Sequence, residues 1–419
     1  MSLLAIFILS LECFSYIICV PAVFLVVLGS EGVLFRKISF NFILKPSFWV
    51  LLLWGIIFSI SWYGMYGSFF ISMWRYCICS ILCFAVGYVT CADRKSKCID
   101  YSYKIILAIA LGCGIHVTFN LLINFGTDRN FTRDFWLYIS DKYSSYLAAT
   151  NLGSISTFIY SLIPFFVITK NLKIKFCGAV LTGLSLIYSF VLGTRSQLIM
   201  MIGVIIISMI VYFFEHNKER ISQKKFIIRF IAAIVVPIIL ITLYTRDFYG
   251  IRTFVLNSNL INRLRVSDEI TRGSDETRMY YFVQGVINLF NYPLGGVTAI
   301  RFYHNCWLDI GRVAGIFPVC IMLIYNAVTF FHAVKIFMQN DIREDIRYAL
   351  VFIYIGIFAN FFCEPIMDGY YNLWYRLCII NGMTEGIFYS CIKNKQTKKE
   401  RKSKHNKKMF QLTAENSSF

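Results

Sequence analysis

Apolar runs of about 18 to 25 residues recur along nearly the whole chain, the length a helix needs to cross a hydrocarbon layer. Backbone inside lipid has no water to bond with, so each run must satisfy its own N–H and C=O groups as a helix. The charge content agrees. Only 15% of the 419 residues are charged, whereas a soluble globular chain carries about 25%. A core of this size cannot be covered with so little polar surface, and the missing solvent is lipid. No segment of domain size is polar enough to fold separately. The expected fold is therefore an all-α polytopic integral membrane protein, with one integrated domain over residues 1–392 and a basic tail over 393–419.

The hydropathy pattern predicts spans at 3–29, 47–64, 70–91, 104–125, 152–169, 174–193, 197–214, 226–244, 306–331, 346–366 and 373–392. That is eleven transmembrane helices, or twelve if the first stretch is a pair. Residues 3–29 are long for one crossing and short for two, and they carry Glu12. This first run lacks the basic leader and small-residue cleavage site of a signal peptide. The 14 cysteines lie mostly within apolar runs, without metal spacing or a disulfide framework, and read as small core residues.

Lysine sets the orientation. The run from Lys393 to Lys408 is expected to stay cytoplasmic, because a solvated basic segment crosses a membrane poorly. Counting back, the segments near 30–47, 92–104, 170–175, 215–229 and 332–347 share its side, and they hold every remaining lysine except Lys142. The net charge of +18 is thus read as topology rather than as a nucleic-acid surface. On the outer side and within the spans the basic residues are, Lys142 apart, arginines: Arg75, Arg129, Arg133, Arg195, Arg246, Arg252, Arg263, Arg265, Arg272, Arg278, Arg301, Arg312 and Arg376. Arginine offers a planar, permanently charged fork that fits phosphate or carboxylate oxygens in pairs. Pairing with Asp247, Asp268, Glu269, Asp275 and Glu276 of the same loop is the plainer use.

Two outer segments are long enough to fold, 126–151 and 245–305. In the second, Tyr281, Phe282, Val286, Leu289 and Phe290 follow helical spacing, which predicts an amphipathic interfacial helix from Arg278 to Phe290. It stops at Asn291-Tyr292-Pro293-Leu294-Gly295-Gly296. Such a helix, with arginine at its start, suits a lid over a cavity.

Three motifs could carry chemistry. Gly193-Thr194-Arg195-Ser196 places an arginine at the junction of two spans, beside helix-start amides that favour an anion. Snorkelling to the interface is its plainer role. His304-Asn305-Cys306-Trp307-Leu308-Asp309 lies where the outer loop re-enters the membrane, and an imidazole there suits proton transfer. A loop histidine bonded to a carbonyl is the alternative. In Glu364-Pro365-Ile366-Met367-Asp368 the carboxylates are either site residues or counter-ions of Arg312 or Arg376. Arg301, Arg312, Glu364 and Asp368 are carried as substrate-binding candidates. No Walker loop, GxGxxG, HExxH or working Asp-x-Asp pair occurs, so no metal or cofactor is expected and the substrate must arrive activated.

Together, Gly193-Thr194-Arg195-Ser196, the outer loop with Glu276-Thr277-Arg278, Pro293-Leu294-Gly295-Gly296, and His304-Asn305 with Trp307-Leu308, Gly311 and Gly315 resemble the O-antigen ligase and O-antigen polymerase (Wzy-type) superfamily. The likeness covers mainly residues 190–320. The family usually shows a small residue followed by Ser-Arg where this chain has Thr194-Arg195-Ser196. The resemblance implies a GT-C-like, metal-independent glycosyltransferase of the bacterial inner membrane. Its substrate would be an undecaprenyl-pyrophosphate-linked glycan on the periplasmic face, and a chain-length regulator would be a membrane partner. By motif position Arg195 and Arg278 would hold the pyrophosphate, and His304 would serve the acceptor hydroxyl. Polymerase is preferred over ligase for the aromatic-rich composition. A lipid-linked oligosaccharide flippase is the reading from another class, disfavoured by the lack of an internal repeat.

Overall fold

The computed structural model describes residues 1–12, 15–35, 40–92, 97–127, 149–215, 246, 252–253, 256, 258, 260–261, 270–368 and 371–393. All regular structure among them is helical. The helices are α1 (Ser2–Leu11), α2 (Tyr16–Phe35), α3 (Pro46–Tyr66), α4 (Phe69–Ala92), α5 (Cys98–Thr127), α6 (Ala149–Ser161), α7 (Ile163–Ile168), α8 (Leu172–Leu192), α9 (Arg195–Glu215), α10 (Ile270–Asn291), α11 (Cys306–Ala314), α12 (Ile316–Phe337), α13 (Glu344–Cys363) and α14 (Asn372–Ile387). Seven of these (α3, α4, α5, α8, α9, α12 and α13) are long and apolar enough to cross a membrane. The expected span 226–244, most of the outer segment 126–151, part of the outer segment 245–305 and the tail beyond Lys393 lie outside the described residues.

Three expected spans are interrupted, each for a local reason. Residues 3–29 divide at Glu12, which takes a left-handed conformation (φ 59°) and returns its N–H to the Leu9 carbonyl. Residues 152–169 break ahead of Pro164, whose ring cannot follow a continuous helix. Residues 306–331 are two helices, because Gly315 at φ 81° and ψ −172° stops α11 and starts α12. Only glycine tolerates that conformation easily.

Lipid-facing and protein-facing surfaces separate along single helices. On α9, Ile199, Ile202, Ile206, Ile210 and Phe214 are exposed, while Gln197, Met200 and Val204 are buried. A bare apolar stripe of this length is what a lipid-facing helix presents. By contrast, every residue of α14 is buried apart from Asn372. It packs on α4 at backbone distance: a Cβ on Gly87 would overlap the Ile379 carbonyl oxygen, and one on Gly382 would overlap that of Phe84. Small residues allow this approach, which gives dispersion contact where lipid offers no hydrophobic driving force. A buried ion pair adds to it, for Arg376 of α14 bonds to Glu12 at the α1–α2 break.

The two ends of the bundle differ in character. At one end, Lys45 lies over Tyr389 (3.6 Å), Lys335 over Phe331 (4.4 Å), and Arg343 pairs with Asp345 (2.8 Å) and Asp100 (3.6 Å). At the other end lie the α8–α9 turn, the end of α13 and the start of α11.

Candidate active site

Four chain segments converge at this second end. The first is the α8–α9 hairpin. Gly193 closes α8 in the left-handed region (φ 67°), Thr194 N–H bonds to the Ser189 carbonyl (3.1 Å), and α9 begins at once with Arg195. The hairpin is anchored below by polar contacts inside the bundle: Thr157 Oγ1 donates to Gln197 Oε1 (2.7 Å), and Asn360 Nδ2 donates to Thr157 Oγ1 (2.9 Å). The second segment is the end of α13, where Glu364 is buried and its N–H caps the helix on the Asn360 carbonyl. Ser196 Oγ donates to Glu364 Oε1 at 3.3 Å, which fixes the first turn of α9 against that carboxylate.

The third is the turn before α11. Asn305 caps α11 by accepting from Leu308 N–H (3.0 Å) and donates to the Phe362 carbonyl at the end of α13 (3.4 Å). Tyr303 N–H bonds to Asp309 Oδ1 (2.7 Å). Clamped between these contacts, His304 is held at φ 54°, a conformation a non-glycine residue adopts at a cost that its surroundings must offset. Its ring packs edge-on to Phe302 (4.6 Å), and its Nδ1 is buried with no hydrogen-bond partner among the described residues.

The fourth is α10, which runs well beyond the expected Arg278–Phe290 and reaches back to Ile270. Its inward side packs on α11, with Gly285 against Leu308 and Tyr303, and Leu289 against Gly311. Asn288 Nδ2 donates to Tyr303 OH at 2.7 Å. Met279, Phe282, Val283, Val286 and Phe290 are exposed, as an interfacial helix requires. The turn after α10 is stitched to the α11–α12 break: Gly296 N–H to Val313 O (3.2 Å), Val297 N–H to Arg312 O (3.0 Å) and Ile316 N–H to Pro293 O (3.0 Å). This clasp sets α10 so that the Arg278 charge acts on both His304 and Cys363.

Partial burial, followed by the nearby Arg278 guanidinium, holds the His304 pKa down to about 4. Both causes penalise the imidazolium form. At neutral pH the ring is therefore neutral and can accept a proton. Beside it, a guanidinium can steady negative charge, and a buried carboxylate stands next to the helix start that carries Arg195.

Not all the candidate residues join this group. Arg195, half-buried at the start of α9, adjoins it through Ser196. Arg312 is buried beneath it, 3.8 Å from Asp309, and donates to Tyr66 OH (2.7 Å) and Val297 O (3.5 Å). It holds the clasp together rather than facing outward. Arg301 is exposed, over the Phe302 ring. Asp368 ends the short 3-10 turn that follows Glu364. Asp309 and Glu12 are the carboxylates that meet Arg312 and Arg376; Asp309 lies one helical turn from Arg312, whereas Glu12 is remote in sequence from Arg376. Ser196, Asn288, Tyr303 and Asn360 were also missed. Each acts through a contact remote in sequence, and only Ser196 lay within a motif.

No family model matches the chain, and no curated protein matches it.

Proposed function

We propose that this chain is a membrane-embedded polysaccharide polymerase of the O-antigen type, joining undecaprenyl-pyrophosphate-linked repeat units at the periplasmic face of the bacterial inner membrane. The observation that carries this reading is the convergence of Arg278, His304 and the Cys363–Glu364 helix end, with Ser196 and hence the start of α9 bonded to that same end. The lysine-rich opposite end favours a cytoplasmic C-terminus. Eleven or twelve crossings follow if α1–α2 (as one or two), α6–α7, α14 and the expected span 226–244, which lies outside the described residues, complete the seven long helices.

In the proposed reaction an acceptor hydroxyl oxygen attacks the anomeric carbon of the donor. A C–O bond forms, the bond from that carbon to the pyrophosphate oxygen breaks, and the electron pair leaves on pyrophosphate. Neutral His304 takes the hydroxyl proton. A positioned base is worth roughly 10² to 10⁴ in rate when its pKa lies near the working pH, and less for one held as low as His304. Arg278 and Arg195 are preorganised donors for the departing oxyanion, where removing one such donor typically costs about 3 kcal/mol. The pyrophosphate bond already stores the driving force, so the protein's own groups need only place charge and move one proton.

The test is the lipopolysaccharide profile of a deletion strain complemented with wild-type, Arg195→Ala or Arg278→Ala protein. Core plus a single repeat unit in the deletion strain and in both variants, with normal membrane insertion, is the expected result. Unchanged chain-length ladders in the variants would refute the role of the arginines. Bare core with accumulated lipid-linked polymer would make the enzyme a ligase, and bare core with units trapped inside the cell would make it a flippase.

A further inference from the structure

The first turns of α4 are drawn out into a π-helical segment, Met73–Ile78, which carries Arg75. An extra residue per turn re-aims a side chain, and such bulges gather at functional positions. Here the bulge presents Arg75 to a ring of tyrosines. Its Nε donates to Tyr16 OH (2.6 Å) and its Nη1 to Tyr371 OH (2.9 Å), and its guanidinium lies 4.6 Å from the Tyr371 ring centroid, 5.7 Å from that of Tyr16 and 5.8 Å from that of Tyr76. Arg312, Arg343, Arg347 and Arg376 each pair with a carboxylate. Among the described residues Arg75 has no such pair: its partners are neutral phenols, which orient the fork and leave its charge uncompensated. A half-buried guanidinium at membrane depth is costly and attracts an anion. The planar fork suits a phosphate group.

The cage sits at the same end of the bundle as the candidate active site. Tyr76 OH donates to the Met367 carbonyl (3.1 Å), and Tyr76 and Tyr371 hydroxyls are 3.3 Å apart. The segment from Glu364 to Tyr371 thus has Ser196 and α9 at its start and Arg75 at its close. Joining two lipid-linked units requires two pyrophosphates at one membrane face, because the donor gives up its carrier only as the bond forms and the acceptor keeps its own. One cationic cluster would force the two anions together. We propose that Arg75, seated by Tyr16 and Tyr371, is a second pyrophosphate site that holds the acceptor's carrier while Arg195 and Arg278 hold the donor's. This inference rests on the polymerase reading given above.

The full chain in phosphatidylcholine nanodiscs, titrated with undecaprenyl pyrophosphate and read by native mass spectrometry, tests it. Wild-type protein is expected to bind two molecules, Arg75→Gln one, and Arg195→Ala/Arg278→Ala one. Arg75→Lys, which keeps the charge, and Tyr371→Phe, which keeps the ring, should retain two with the second bound more weakly. One molecule bound by wild type, or two retained by Arg75→Gln, overturns the proposal. So does loss of both from Arg75→Gln with unaltered thermal unfolding, since the sites would then be one. Displacement of the second molecule by phosphatidylglycerol at equal mole fraction also overturns it, for the cage would then hold ordinary lipid headgroups. If Arg195→Ala/Arg278→Ala keeps two while Arg75→Gln drops to one, the Arg75 site stands and the donor assignment falls.

Discussion

Replacing Gly315 by alanine tests how the arginine and the histidine are held together. Gly315 sits at φ 81° and ψ −172°, and a Cβ there would overlap the Pro293 carbonyl oxygen and lie 2.7 Å from the carbonyl carbon of Leu294. The backbone conformation alone costs an L-residue roughly 1–3 kcal/mol. The clash is with backbone, so relief must open the clasp, with its bonds from Ile316 to Pro293, Gly296 to Val313 and Val297 to Arg312. Each such bond contributes a net of about 1 kcal/mol. Losing one or two brings the destabilisation to about 2–5 kcal/mol. The clasp also sets α10 on α11, so Arg278 should move from His304 and glycan extension should fall more than tenfold although both residues are intact. Neighbouring glycines supply a graded control. Gly295→Ala brings a Cβ within 2.5 Å of Val313 O, whereas Gly296→Ala, at φ 82°, meets open space and bears only the conformational cost. Thermal unfolding in detergent and repeat-unit extension in proteoliposomes should both rank Gly315→Ala below Gly295→Ala and Gly296→Ala least affected. An unfolding midpoint and extension rate for Gly315→Ala equal to those of wild type would show that the clasp does not position the site.

Arg278→Lys should lose most activity, because a point charge cannot replace a two-toothed fork; near wild-type extension by that variant would count against bidentate phosphate binding. Extension by wild-type protein should stay level as pH falls through 6.5 and be half lost near 4, where His304 takes up its proton and ceases to be a base. An acid limb centred near 6.5 in the pH–rate profile would disprove that assignment. The same shift acts on stability: unfolded chains bind this proton below about 6.5 and the folded protein only below about 4, so His304 contributes a loss of stability as pH falls across that window. Glu12→Leu strands the buried Arg376 and should destabilise by about 3–5 kcal/mol, whereas Glu12→Leu/Arg376→Leu should recover much of it; thermal unfolding of the two variants decides. Gly87→Ala should cost about 1–3 kcal/mol by pushing α4 off the Ile379 backbone, measured in the same way, while Gly203→Ala, whose Cβ meets open space, should be neutral or better.

Sequence alone determined that the described chain is helical and built for lipid, because backbone in hydrocarbon has one local solution and apolar run length reports it directly. It also located the long helices at 46–66, 69–92, 172–192 and 195–215 to within a few residues of their expected bounds, and it singled out Arg278, His304 and the Pro293–Gly296 turn as candidates. Where helices break was only partly legible. Glu12 marked residues 3–29 as unusual and Gly315 belonged to a motif, but neither announced that its run divides there through a backbone of positive φ. Partnerships between groups on different helices were not legible at all. Arg376 meets Glu12 across the whole length of the chain, Ser196 meets Glu364, and Arg75 is caged by Tyr16 and Tyr371. Helical periodicity tells which face of a segment is apolar, but a charge finds its partner only when helices far apart in sequence are laid side by side, and that is decided by packing.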